Sequence, residues 1–139
     1  MSEPLDRAWL LAHLPHQGAM NVLDRIERWD EAALHARATS HRDASNPLRR
    51  EGVLPIAAGI EYGAQAAAAH GALLGVAGAG RLASVRAVAF HANRLDDVRG
   101  DLDIRAEQLG GGDRGVLYAF TVSEGDRALV EGRVTVAFA

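Results

Sequence analysis

Glu61 is the only charged side chain between Pro55 and Gly80, in a stretch made almost entirely of alanine, glycine and aliphatic residues. An unpaired buried carboxylate is costly, so such a group must be paired, solvated at a cleft or protonated. A carboxyl in that situation has a raised pKa and suits general acid or base work. It could equally emerge at the wet end of a helix and bond to backbone. Gln65 follows at i+4, on the same helical face, where it could orient Glu61 or satisfy a buried amide. Tyr62 is expected to pack. Histidine is the other side chain here that could carry acid or base chemistry near neutral pH. His16 sits in the triplet Leu14-Pro15-His16, close to the flexible Gly18, and could point into a cleft; a lone loop histidine is also commonly structural. His41 heads a long polar loop and is the second candidate. His70, His35 and His91 are expected to pack or lie at the surface. His13 and His16 have the spacing H-x-x-H, but Pro15 keeps them off a common helical face, and no third ligand is in evidence, so no metal site is expected.

Composition removes other chemistries. The chain has 139 residues, no cysteine and no lysine; all fifteen basic residues are arginine. Disulfides, thiolate nucleophiles, Schiff bases and a phosphate-loop lysine are therefore absent. No G-x-S-x-G elbow is present. Net charge is -3 and the pI about 6.0, which argues against a nucleic-acid binder. The charge-free run from Tyr62 to Gly80 nearly reaches membrane-spanning length. Its Ala/Gly richness, with Gln65 and His70 inside it, reads instead as a buried helix. MSEPLDRAW lacks the apolar core of a signal peptide, so a cytoplasmic protein is expected. With 48% hydrophobic and only 5% aromatic residues, the expectation is one globular domain over 1–139 in which small residues let backbones pack closely.

The elements that must hold these residues follow from periodicity. Arg7 to His13 reads as a short helix ended by Pro15. Asn21–Trp29 and Ala32–Ser40 read as strands joined by a tight turn at Asp30–Glu31, and His41–Gly52 as a loop. From Pro55, a good first helical residue, a helix is expected over Ile56–Ala77, weakened by Gly63, Gly71 and Gly75. It is apolar nearly all round and must be buried on most sides. Beyond Gly80 the pattern alternates. Arg81–Arg94, the stretch from Asp101 to Gln108, the stretch from Val116 to Val122, and Arg127–Phe138 read as four strands. On the last, Ala128, Val130, Val134, Val136 and Phe138 share one face, and Leu129 falls on the other. Gly110–Gly115 (GGGDRG) matches G-x-G-x-x-G, but a strand follows it where a dinucleotide site needs a helix, so it reads as a glycine hairpin loop. The sum is an α+β fold, an antiparallel sheet wrapped around one long central helix.

Two segments carry a family resemblance. Leu14–Ile26, LPHQGAMNVLDRI, resembles the opening L-P-H-R-x-P-F-L-L-V-D-R-V of the FabZ/FabA type of 3-hydroxyacyl-carrier-protein dehydratases, matching at Leu14, Pro15, His16, Asp24 and Arg25. LPIAAGIEYGAQA resembles that family's F-P-G-V-L-x-L-E-A-M-A-Q-A, with Pro55, Glu61 and Gln65 at the equivalent positions. SHRDASNPLRREGVLPIAAGIEY is similar to the divergent branch associated with aryl-polyene pigment clusters. The resemblance implies the hotdog fold and a lyase that converts a 3-hydroxyacyl thioester to a trans-2-enoyl thioester in fatty-acid or polyene biosynthesis. It implies no cofactor beyond the phosphopantetheine that carries the substrate, on acyl carrier protein or coenzyme A. A homodimer is expected, or a heterodimer with a related dehydratase.

The catalytic acid carries over to Glu61. The family's catalytic histidine does not: fourteen residues before Glu61 stands Pro47, preceded by Asn46. His16 is taken as the base, with His41 as its rival, and Asn46, Pro55, Gly59 and Gln65 as substrate-binding. Backbone N–H groups over Ile56–Gly59 are expected to polarise the thioester carbonyl. Arg42, Arg49 and Arg50 form a basic spot that is either a solvated face or a site for the prosthetic phosphate or an acidic carrier helix. A hotdog thioesterase, with one carboxylate activating water, and a non-catalytic subunit of a heteromeric dehydratase are the alternative readings.

Overall fold

The computed structural model describes residues 3–76, 80–112 and 115–138. The first element, α1 (Arg7–His13), is capped by Asp6, whose carboxylate accepts from the Trp9 N–H at 3.0 Å. It ends on an extended Leu14, as a residue preceding proline should. Strands β1 (Arg25–Trp29) and β2 (Ala33–Ala38) form a hairpin. A 3-10 turn at Ile56–Ala58 then leads into α2 (Gly59–Leu73), followed by β3 (Gly80–Phe90), β4 (Leu102–Gly112), β5 (Gly115–Glu124) and β6 (Arg127–Phe138). The six strands make one antiparallel sheet in the order β1-β2-β4-β5-β6-β3. Its concave face closes on α2 with Leu34, Ala36, Ile104, Tyr118, Phe120, Val134 and their neighbours. This is the hotdog architecture.

Small residues make that wrap possible. Most of α2 is buried, and Ala66, Ala67 and Ala69 are fully so. At Gly63 an added Cβ would run into Cδ1, Cγ and Cβ of Phe120, so the strand can approach only a residue without a side chain. The glycine cost anticipated for this helix is thus offset by contact with β5.

The helix is shorter than expected, and Gly75 explains the difference. It adopts φ +79. The Gly75 and Val76 N–H groups fold back to Ala72 O (3.1 Å) and Gly71 O (3.0 Å), the paired bonds of a Schellman stop. Gly75 is the terminator rather than an interior weakness. Residues 77–79, where the expected end fell, lie outside the described residues.

Other boundaries also shift for identifiable reasons. β1 begins at Arg25 and not Asn21 because residues 20–22 bond to α2 instead of β2. β2 stops at Ala38, where Ser40 turns to bond Val22 O. β3 ends at Phe90, after two register shifts, and not at Arg94. Leu129 is fully buried, against its expected outward face, since the register slips between Val122 and Ser123 and turns it inward. Gly110–Gly112 pair with Leu117, Val116 and Gly115, so they finish β4 rather than form a loop. Residues 113–114 lie outside the description. Among the described residues, no helix is long and apolar enough to cross a membrane.

Gly63→Ala should destabilise the protein by roughly 1–3 kcal/mol through overpacking against Phe120, despite a helix-propensity gain of about 1 kcal/mol. Urea unfolding measures it, and unchanged or raised stability would contradict the close-packing account.

Candidate active site

Glu61 projects from the first turn of α2, and its side chain is 30% exposed. It is a partly exposed carboxylate, not a sealed one. One turn later Gln65 is fully buried. Its carbonyl accepts the Val22 N–H at 2.9 Å, and its amide donates to Met20 O at 2.8 Å. One side chain therefore fastens residues 20–22 to the helix by two backbone bonds. From the other side, the Arg7 guanidinium donates to Leu23 O (2.6 Å) and Gly18 O (3.0 Å). Asn21 reaches back to His16 O at 3.4 Å.

Held this way, His16 presents Nε2 to Glu61 Oε2 at 3.9 Å, within the same chain. The separation is ion-pair distance but too long for a hydrogen bond. Burial pushes the Glu61 carboxyl above its ordinary value, and His16 and the Gln65 amide oppose that rise. His16 Nδ1 is buried without a hydrogen-bond partner, so no neighbouring group fixes the tautomer. A carboxyl held toward its acid form thus faces an imidazole, with both side chains partly exposed.

The remaining candidates separate from this pair. His41 is fully buried, and its Nε2–H donates to Val98 O (3.0 Å) and Gly100 O (2.9 Å). Burial lowers its pKa. It is a clamp between two loops, and His16 is the histidine that faces Glu61. Asn46, next to the place where the family keeps its histidine, donates to Ser40 O (2.9 Å) and to Tyr62 Oη (3.2 Å). Tyr62, anticipated only to pack, bonds Ser40 Oγ at 2.7 Å, and Ser40 donates to Val22 O at 2.7 Å. Its hydroxyl in an otherwise apolar helix was the available signal. Pro55 pairs with Arg94, and Gly59 lies against Val130.

Three of the four N–H groups expected to meet a thioester carbonyl are already committed. Ile56 donates to Asn93 O (3.2 Å), Ala58 to Pro55 O (2.9 Å), and Gly59 to Ala57 O and Ile56 O. The basic spot dissolves similarly. Arg49 donates to Asp43 O, Gly52 O and His41 O, and Arg42 bonds Arg99 O and Asp101. Both arginines hold loops together. His70 is fully buried, its Nε2–H donating to Asp30 O (2.8 Å) while Nδ1 accepts from the Tyr118 hydroxyl (2.7 Å). Among the described residues, no group of three histidine, aspartate or glutamate side chains could hold a metal ion.

Known proteins extend the picture. The family model described as ApeP-like, ApeP dehydratase, matches residues 10–139. Among solved structures, the dehydratase heterocomplex ApeI:P from Xenorhabdus doucetiae is 25% identical, with 94% of this chain and 90% of that chain covered and a TM-score of 0.79. AziG of S. sahachiroi is 19% identical over 81% of this chain and 88% of its own, at a TM-score of 0.62. A thioesterase from Haemophilus influenzae is 15% identical over 93% and 81%, also at 0.62. At those identities the last two share the fold alone. No curated protein matches this chain.

Because the folded carboxyl of Glu61 titrates above 4.5, its unfolded reference, the folded state holds that proton more tightly. The associated stability is complete below pH 4.5 and is lost as pH rises through the folded value. Urea midpoints across pH 4–7 should fall in the wild type relative to Glu61→Gln. Parallel curves would mean that Glu61 titrates as a free surface carboxylate.

Proposed function

The chain belongs to the ApeP-like dehydratase family, and from that premise we propose that Glu61 and His16 carry out its dehydration. The substrate is a 3-hydroxyacyl thioester on the phosphopantetheine arm of an acyl carrier protein or on coenzyme A, in polyene or fatty-acid biosynthesis. His16 Nε2 removes a C2 proton. Glu61, protonated, gives its proton to the C3 hydroxyl, which leaves as water as the C2–C3 double bond forms. The imidazolium and carboxylate left behind lie 3.9 Å apart, so proton return from His16 to Glu61 restores the pair after product leaves. The carrying observation is this juxtaposition of acid and base at the first turn of α2, with the carboxyl raised toward its acid form by burial. The trans-2-enoyl product needs no cofactor. Cytoplasmic residence belongs to the same reading, since thioester carriers are loaded there.

A partner subunit is also part of the proposal. The heterocomplex named for its 25% identical relative supports pairing with a second, related dehydratase subunit. β3 is an edge strand that exposes Leu82, Val85 and Phe90, the kind of edge that natural sheets cover. A homodimer through β3 is the state expected when that partner is absent.

Glu61→Gln and His16→Asn should each lower enoyl thioester formation by about 10²–10⁴-fold with unchanged circular dichroism. Retained dehydration by Glu61→Gln would overturn the assignment, and thiol release without enone absorbance would favour a thioesterase. Val85→Glu with Phe90→Glu should leave the chain monomeric in light scattering; an unchanged mass would place the interface elsewhere.

A further inference from the structure

The outer face of the sheet carries an arrangement that dehydration does not use. The register sets Arg28 of β1 opposite His35 of β2, and His35 opposite Arg105 of β4, so three basic side chains line up across three strands. A register shift between Ile26 and Arg28 creates the row. Without the extra residue, Arg28 would pair with Leu34 and face the core; with it, Glu27 and Arg28 both reach the outer face. Two guanidinium-bearing residues thus flank His35 on one face, two strands apart.

The neighbouring row shows how this chain ordinarily treats such charges. There Arg25 and Arg37 meet Glu27 at 2.5 and 3.5 Å, and Arg37 meets Asp103 at 3.3 Å. Among the described residues, by contrast, no carboxylate lies within ion-pair distance of Arg28 or Arg105. His35 Nε2 is held by Asp103 at 2.8 Å, and its Nδ1 is buried without a partner. Asp30 is the one acid at the rim, and its Oδ1 is occupied by the Ala32 and Ala33 N–H groups that close the β1–β2 turn. These side chains surround a cavity of about 320 Å³ with Trp29 in its wall. That volume is in the range of small-molecule sites.

We infer that this cavity binds an oxyanion, the phosphate monoester or carboxylate group of a small molecule, between the Arg28 and Arg105 guanidinium groups. Guanidinium forks match such groups bidentately. His35 adds a third polar group, and Trp29 offers an apolar wall to the body of the ligand. Binding would give both guanidinium groups the charge-assisted hydrogen bonds that no carboxylate of the described residues supplies.

The test uses the intact protein at constant ionic strength, with sodium chloride exchanged for inorganic phosphate in one arm and for succinate in the other. Expected is a saturable shift of the Arg28 and Arg105 side-chain Nε–H resonances with a rise in Tm. Tighter binding in the phosphate arm assigns a phosphate ester, and tighter binding in the succinate arm a carboxylate. Arg28→Gln and Arg105→Gln should each weaken binding by about tenfold, the scale of one charge-assisted bond. The double variant should abolish it, and Arg50→Gln, on a distant loop, should leave it intact. Enoyl-forming activity should be unchanged in both single variants, which separates this site from the Glu61–His16 pair. A response that never saturates, or undiminished binding in the double variant, would overturn the inference.

Discussion

Two hydrogen bonds from Gln65 hold the candidate site together. A helix of alanine and glycine buried inside a sheet has almost no polar surface with which to capture another segment. Gln65 is one of its few polar side chains: its amide is fully enclosed and bonds the backbone of Met20 and Val22. Buried amide bonds of this kind are costly to leave unmade, so the segment carrying His16 has one well-defined seat. The seat is reinforced by a directed chain from the neighbouring helical residue. Asn46 donates to Tyr62, Tyr62 to Ser40, and Ser40 to Val22 O. Val22 is thus held at its N–H by Gln65 and at its carbonyl by Ser40. Donors aligned in series polarise one another, so such a chain acts as a unit.

The same network accounts for the missing family histidine. In this chain the corresponding stretch is Asn46-Pro47, and Asn46 points at Tyr62 and Ser40 rather than at Glu61. Here that position supplies support for the loop and for Tyr62. The histidine that does meet Glu61 comes from a segment far earlier in the chain, and it arrives there only because that segment is strapped to α2. In the proposed reading the acid and base come from one chain, with no neighbouring subunit needed to complete them. A subunit interface then serves to cover the apolar edge of β3.

Much of this was legible in the residues and some of it was not. The layer order, α1 and the inward faces of β2, β4 and β5 follow from two-residue and helical periodicities that burial confirms. Glu61 and His16 stood out by type and context, and folding brought them together. What escaped was determined by contacts between distant residues. Gly75 reads as one more weak helical glycine until its positive φ makes it the stop. Leu129 reads as outward until a bulge turns it. Arg42 and Arg49 read as an open basic spot until the carbonyls they fasten are in place. The N–H groups at the start of the helix read as free until Asn93 and Pro55 accept two of them. Periodicity carries which face is apolar; it carries nothing about which polar group has already found a partner.

That distinction also bears on how the site can work. Burial alone would raise Glu61 and leave it an inert acid; His16 alone, with Nδ1 unpartnered, would be an imidazole with no preferred tautomer. At 3.9 Å the two are close enough for each to feel the other's charge and too far apart to be locked in a hydrogen bond. A tighter pair would hold the proton between them in the resting state and would have to be broken before substrate could use either group. The observed gap, with the carboxyl raised by burial, is the arrangement on which the proposed elimination of water rests. In this fold the bonds that fasten residues 20–22 to α2 also set the spacing of His16 and Glu61.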